Sequence, residues 1–527
     1  MIEDRFGPLV EALCEGEFAL WIGSGISFGK APGLPELVAA VIEFLRLRAD
    51  FGDLAEPHHR ALLKILGDHA KLSGADIAAQ PVCKEFSNWP ARERIVEALR
   101  NNYSPMLDER VKGQKPDYLL WEAVNVVGRY AGLDEPDAEH RAIAILVFEG
   151  AIKEMASGNW DGLIEAAIAE MSPVDPATVL RTVVEPDDMR GHRADATLVK
   201  FHGCAMRCAN DNDRFRPFLI ATEARMIEWA NEDGIVQLEL RRIATTYRSL
   251  VVGLSLQDGN LKSVFDKAKR THPWNLPAPP EPPAHVFLEE ALGAGQRTIL
   301  KLVYGANFDA DPDLVEASAL LRARPKTAPP VLALHVVLDK IHHLALGAAA
   351  HLGTATPIAF ARGIATLRTL AASAAPDDRS ETGAFVERCV LMWTRCMSLL
   401  RTGQVPNPAS RNYLAVSPRR RGLMAGDLAV APSGLPQFSA SLALMGELQH
   451  DGTLTLAAPA APFAAITARG SYAGADPRHV TFVGNAAAAF ELKSQGAFDD
   501  RNAVFVHSDG KILAALGKRR RSPSGAS

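Results

Sequence analysis

Five apolar residues in a row, Phe18 to Ile22, run directly into Gly23-Ser24-Gly25. An unbroken apolar run of this length suits a strand covered on both faces, the condition of a parallel sheet. A glycine turn at its end is where such a strand can bring backbone N–H groups close to a phosphate. The signature recurs at Thr197–Phe201, Phe218–Ala221, Leu250–Gly253, His285–Leu288 and Thr298–Tyr304, with helical spacing between the runs. Strands alternating with helices predict an α/β fold, a doubly wound, parallel, Rossmann-like sheet.

From Leu34 to about Ile152 the periodicity is mostly helical, as in Leu37-Val38-Val41-Ile42-Leu45, and reads as an insertion or cap over residues 34–152. Ala151 to Ser157 carries no convincing strand pattern. The proline-rich stretch Pro277 to Pro283 is a stiff connector, placed inside the first domain because two strand candidates follow it. A length of 527 residues favours more than one domain. The expected division is an α/β domain over 1–310, a helical region over 311–430, and a small mixed α/β region over 431–527. That last region carries a βαβ unit, His479–Val483, Ala486–Leu492 and Ala503–His507. The chain ends in a basic tail, Lys518 to Arg521, of the kind that is usually a solvated terminus.

Composition narrows the function classes. With 47% hydrophobic and 23% charged residues and a formal net charge of -5, the chain lacks the basic surface of a general polyanion binder, so nucleic acid is expected only indirectly. Met1 to Gly7 contains acids and no apolar core of a secretory signal, which predicts a cytoplasmic protein. The weakly polar stretch Leu456 to Ala468 is interrupted by Pro459 and Pro462, and no membrane span is expected. Six scattered cysteines read as reduced thiols, and Cys204 with Cys208 is too small a set for a structural zinc, so no metal is expected.

Four segments offer chemistry. Gly23-Ser24-Gly25-Ile26-Ser27 can approach a pyrophosphate, although short glycine turns also end strands for conformational reasons. Asn159-Trp160-Asp161-Gly162-Leu163 presents a carboxamide and a carboxylate two residues apart, on one side of an extended segment. The same pattern also suits the capping of a helix that begins at Leu163. Lys200-Phe201-His202-Gly203 ends a strand candidate, where an imidazole can serve as a base or simply be a satisfied polar side chain. Gly253-Leu254-Ser255-Leu256-Gln257-Asp258-Gly259-Asn260 supplies hydroxyl, carboxylate and amide groups, with Asp258 equally suited to a helix N-cap.

Taken in order, these segments resemble the sirtuin family. Gly23-Ser24-Gly25-Ile26-Ser27 with Gly33-Leu34-Pro35 is similar to the family's glycine-rich loop and its continuation. Asn159-Trp160-Asp161-Gly162-Leu163 is similar to the asparagine, apolar, aspartate motif, Lys200 to Gly203 resembles the segment with the catalytic histidine, and Gly253 to Leu256 resembles the glycine-threonine-serine-leucine loop. The chain departs from the family in lacking a four-cysteine zinc ribbon, in Leu254 where threonine is usual, and in Gly158 where a hydroxyl or amide residue usually precedes the asparagine. Without the ribbon it looks most like the sirtuin-like effectors of bacterial anti-phage systems, which hydrolyse NAD.

The resemblance implies NAD as substrate and no zinc. Asn159 would orient the nicotinamide ribose or the attacking water, Asp161 would hold the ribose or amide, and His202 would be the general base. Gly23, Ser24, Gly25, Ile26 and Ser27 would take the pyrophosphate, with Gly253, Ser255, Asp258 and Asn260 on the adenosine side. It also implies an antiviral NADase that assembles as a homo-oligomer or with a partner defence protein such as an ATPase/helicase or an Argonaute-like protein. An NAD-dependent deacylase and a non-catalytic sensor or scaffold for NAD or ADP-ribose are the alternative expectations.

Overall fold

A computed structural model describes residues 2–508, apart from 101, 192, 232–233, 258, 279–280, 428 and 472–474. Seven parallel strands form the main sheet: β1 (Phe18–Ile22), β2 (Glu154–Ser157), β3 (Leu180–Val183), β4 (Ala196–Lys200), β5 (Arg248–Val252), β6 (His285–Glu289) and β7 (Leu320–Arg322). Their order is β3-β4-β2-β1-β5-β6-β7. The class is therefore the doubly wound α/β architecture expected. From β1 the chain adds β2, crosses to the edge strand β3 and inserts β4 between them, then returns to place β5 on the other side of β1. The winding reverses between β1 and β5, the point at which such sheets open a crevice at their carboxyl ends.

Every residue of β1 is buried because each face of the sheet is covered. Phe18, Leu20 and Ile22 share one core with Met155, Leu198, Leu250 and Leu288. Ala19 and Trp21 point the other way, into a second core with Ala156, Val199, Val251 and Phe287. A third core holds together the insertion's helices between Leu37 and Tyr130 and includes Cys204, Ala205, Cys208 and Leu219 from beyond β4, whereas the helix Ala138–Phe148, expected in the insertion, belongs to the first core. The insertion is thus a cap clamped to the sheet's carboxyl edge by the segment after His202.

Several local expectations are revised. Ala151 to Ser157 does contain a strand, β2, and the short strands β3 and β7 were not anticipated. Thr298 to Tyr304 lies within the helix Ala294–Tyr304, whose buried Ile299, Leu300, Val303 and Tyr304 recur at helical spacing. Phe218 to Ala221 forms no strand: a short 3₁₀ turn ends at Phe218, and Leu219 and Ala221 pack into the cap. Pro279 and Pro280 of the proline-rich connector lie outside the described residues, as do Lys518 to Arg521.

The sheet does not end at residue 310, since β7 completes it at Leu320–Arg322. Nor is the following helical region a separate unit. Ala328, Leu332, Ala333 and Val336, with Val386, Val390 and Tyr413, belong to the same core as Phe18 and Leu20. Among the described residues one helix, Ala328–Ala348, is long and apolar enough to cross a membrane, and half of its apolar window is buried inside the protein. A second, four-stranded sheet has the order β11-β10-β9-β8, from β8 (Leu454–Ala457), β9 (Ile466–Gly470), β10 (Arg478–Val483) and β11 (Ala503–His507). The expected βαβ unit is its parallel pair β10–β11, joined by the helix Ala486–Ser494. Asn485 caps that helix, with the Ala488 N–H donating to its side chain at 2.9 Å.

Candidate functional site

The two glycine loops at the winding reversal pack backbone to backbone. A Cβ on Gly25 would lie 2.7 Å from the Gly253 Cα, and one on Gly23 would lie 2.3 Å from the Gly253 carbonyl oxygen. Gly253 itself has φ +62, which also favours glycine. These glycines are therefore required by loop-to-loop approach before any ligand is considered. The N–H groups of Gly23 and Gly25 donate to the Val252 and Gly253 carbonyls, and those of Ile26 and Ser27 donate back to Gly23 and Ser24. Ser24, the exposed residue, is the one whose N–H lies outside these turns. No helix starts in the loop. The next one begins at Leu34, after Gly33. Any phosphate contact thus falls to Ser24 and not to the whole run of amides.

Asn159 follows β2 and is 7% exposed. Its Nδ2 donates to the Gly23 carbonyl at 3.3 Å and to Ser27 Oγ at 3.2 Å. The Gly23 oxygen can only accept, so the amide cannot be turned round, and Oδ1 is the end that remains to accept a hydrogen bond. Asp161, also buried, accepts from the Leu163 N–H at 3.2 Å and caps the helix Leu163–Met171 while sharing Ser27 with Asn159. Burial raises its pKa against the pull of Lys200, the Leu163 N–H and the Ser27 hydroxyl. Of the two uses offered by this segment, the capping one is served by Asp161.

His140 completes the group and was not anticipated. It lies in the helix Ala138–Phe148, and its Nε2 is 3.3 Å from Ser27 Oγ. The Asp137 N–H donates to its Nδ1 at 3.2 Å. Burial holds its pKa down to about 3, although Asp137 acts in the opposite sense, so the ring is neutral at physiological pH. The sequence signal was present in Asp137 followed three residues later by His140, a reciprocal capping pattern at a helix start.

His202 sits at the end of the segment after β4, with its ring centroid 4.6 Å from that of Phe201. A Cβ on Gly158 would lie 3.4 Å from His202 Nδ1 and 3.2 Å from Phe201. The glycine before Asn159 is thereby explained, because the imidazole and the phenyl ring fill the space a side chain would need. His202 thus packs against the backbone at Gly158, the residue before Asn159, across the adjacent strands β4 and β2. Beneath them Lys200 is buried, donating to the Asp161 carbonyl and pairing with Glu165 at 3.2 Å. Burial alone would lower its pKa, but Glu165, Cys204 and Asp161 hold it above the ordinary value. Cys204 faces this ammonium at 3.4 Å and Cys208 is buried in the cap, its thiol pushed up to about 12 by burial and by Cys204.

The Gly253 loop contributes less. Ser255 is exposed, Asp258 lies outside the described residues, and Asn260 donates to the Met226 carbonyl at 2.7 Å. Next to Gly25 and Phe28 a cavity of about 500 Å³ opens along the carboxyl ends of β6 and β7, lined also by Glu139, Glu289, Arg324 and Lys326. Burial pushes the Glu289 carboxyl up to about 7, while Gln296 and the Gly253 N–H, which donate to it, act the other way. No protein-family model matches this chain, and no curated protein matches it either.

Proposed function

We propose that the chain hydrolyses NAD to nicotinamide and ADP-ribose at the crevice between β1, β2 and β4. The reading rests on the sirtuin resemblance, and the observation that supports it best is the fixed carboxamide of Asn159, tied through Nδ2 to Gly23 and Ser27 on the residue after the glycine that packs against His202. In the reaction the bond between C1′ of the ribose and the nicotinamide nitrogen breaks, and its electron pair neutralises the pyridinium. Water adds its oxygen to C1′ and gives up one proton. Asn159 Oδ1 accepts a hydrogen bond from that water or from a ribose hydroxyl, and His202 takes the proton. Asp161 lends negative charge near a sugar carbon that becomes electron-poor in the transition state. The 500 Å³ cavity beside Gly25 has room for the adenosine half of the substrate. By the same resemblance the cellular outcome would be NAD depletion during phage infection, triggered through self-assembly or a partner protein.

The test is nicotinamide release from NAD by the purified chain, with and without an acetyl-lysine peptide. Asn159→Ala and His202→Ala should each lower kcat by about 10²-fold or more while weakening NAD binding less. Wild-type rates in both variants would end the assignment. Release that requires the peptide and yields acetylated ADP-ribose would make the chain a deacylase.

A further inference from the structure

We propose that His140 is a positioning residue of this site: by donating to Ser27 it turns the Ser27 hydroxyl hydrogen toward Asp161, next to the Asn159 amide that Gly23 and Ser27 hold. The kinetic consequence of this inference rests on the hydrolase reading above, whereas the orienting role itself does not.

The argument is one of hydrogen-bond direction. His140 Nδ1 faces the Asp137 N–H at 3.2 Å and must accept there, so the ring proton is on Nε2. Nε2 faces Ser27 Oγ at 3.3 Å and therefore donates to it. A hydroxyl has two acceptor positions and one hydrogen. The acceptor positions of Ser27 are taken by His140 Nε2–H and by Asn159 Nδ2–H at 3.2 Å, leaving its hydrogen for the Asp161 carboxylate. With the opposite tautomer, Ser27 would turn its hydrogen toward Nε2. Asp161 would then lose a donor in a site where burial already disfavours its charge.

The imidazole is deeply enclosed and has no path to a substrate of its own, which distinguishes it from His202. Its ties run instead to the far half of the chain. Asp137, whose N–H sets the tautomer, is held by Lys326 Nζ at 3.0 Å, and Lys326 also pairs with Glu139 at 3.1 Å. The direction of the Ser27 hydroxyl is therefore anchored by a residue just past β7.

The experiment uses the full-length protein labelled with ¹⁵N-histidine. The His140 resonances should report a neutral ring with the proton on Nε2 throughout the range around neutral pH, and Ser27→Ala should shift the Nε2 signal. In nicotinamide release, His140→Leu should lower kcat roughly 10- to 100-fold, as loss of a partner that orients a site residue does elsewhere. KM for NAD should stay within about threefold, because binding contacts are intact. His140→Gln, whose side-chain N–H can replace the Nε2 donor, should recover most of the loss, with melting temperatures read alongside to separate folding from orientation. A protonated Nδ1 or an imidazolium overturns the proposal. So does a wild-type kcat in His140→Leu, or a His140→Gln variant that melts like wild type yet is no better than leucine. Wild-type protein that releases no nicotinamide ends the hydrolase reading alone, and the tautomer still decides the orienting role.

Discussion

The two ends of the helix Ala138–Phe148 handle buried polarity in opposite ways. All eleven of its residues are buried. At the amino end a neutral relay, Asp137 N–H to His140 to Ser27, passes hydrogen bonds toward Asp161, while Asn159 donates into the same hydroxyl. At the carboxyl end Glu149 places an acidic side chain where the helix dipole is already negative, a position that calls for a compensating partner. Compensation comes from Lys340, 3.1 Å away and as fully buried as Glu149, which also donates to the Glu149 and Ser417 carbonyls. Tyr413 Oη and the Val416 N–H donate to the same carboxylate at 2.7 and 2.9 Å. A carboxylate held by an ammonium and two further donors is a fastener, fixed in place by the fold. A neutral relay that ends on side chains at a crevice transmits direction, which is what a reaction site needs.

Breaking the fastener should have the largest effect on stability. Lys340→Met leaves Glu149 charged in the interior, and a loss of about 3–5 kcal/mol is expected in a chemical denaturation series. If the loss is under about 1 kcal/mol, the pair is not what holds the 328–348 and 412–418 segments to the sheet. At the other end Lys326→Met should do the reverse. Its ammonium is one-third exposed, so stability should change by about 1 kcal/mol or less, while kcat falls roughly threefold through loosening of Asp137. An effect on stability but none on rate would erase the contrast between the two ends.

The smallest effect expected is a pH dependence. Burial, with Asp137 adding to it and Lys326 opposing, pushes the Glu139 carboxyl from 4.5 up to about 7. The folded chain then keeps a proton that the unfolded chain has already released, so this contribution to stability is whole below pH 4.5 and is lost as the pH rises through 7. Glu139→Gln should flatten that slope and raise the melting temperature at pH 8 by about 1–3 °C relative to wild type. A slope that survives the substitution assigns the titration to another group.

Legibility in the sequence followed physical rules that can be named. The central strands β1, β4, β5 and β6 were readable because burial on both faces leaves an uninterrupted apolar run. The strand β2 was not, because Glu154-Met155-Ala156-Ser157 begins with an acid and contains one large apolar residue. Edge strands β3 and β7 are four and three residues long, below the length at which periodicity speaks. Thr298 to Tyr304 satisfied both periods, and the cap at Gly293 that decides for a helix lies outside that window. Among the candidate residues His202 stood out at the end of a readable strand, whereas Asn159 and Asp161 stood out by their two-residue spacing and the motif they resemble. His140 stands 113 residues from Ser27, and no local pattern reports a contact at such separation.

The core shared by the first and last thirds of the chain also sets a timetable for its synthesis. The helix Ile2–Cys14 and β1 find part of their covering only in residues 328–336, 386–390 and 413, and Cys14 Sγ touches the Val336 carbonyl at 3.8 Å. A nascent chain of some three hundred residues lacks the helices Ala328–Ala348 and Thr382–Thr402, and so leaves apolar faces of the helices Ile2–Cys14 and Ala138–Phe148 open to solvent. Contacts this far apart in sequence form late and slowly, and the bare surface is prone to aggregate while it waits. A fragment cut at residue 310 should therefore be recovered as aggregate, and the crevice beside Asn159 should become rigid only after the ribosome has delivered the last third of the protein.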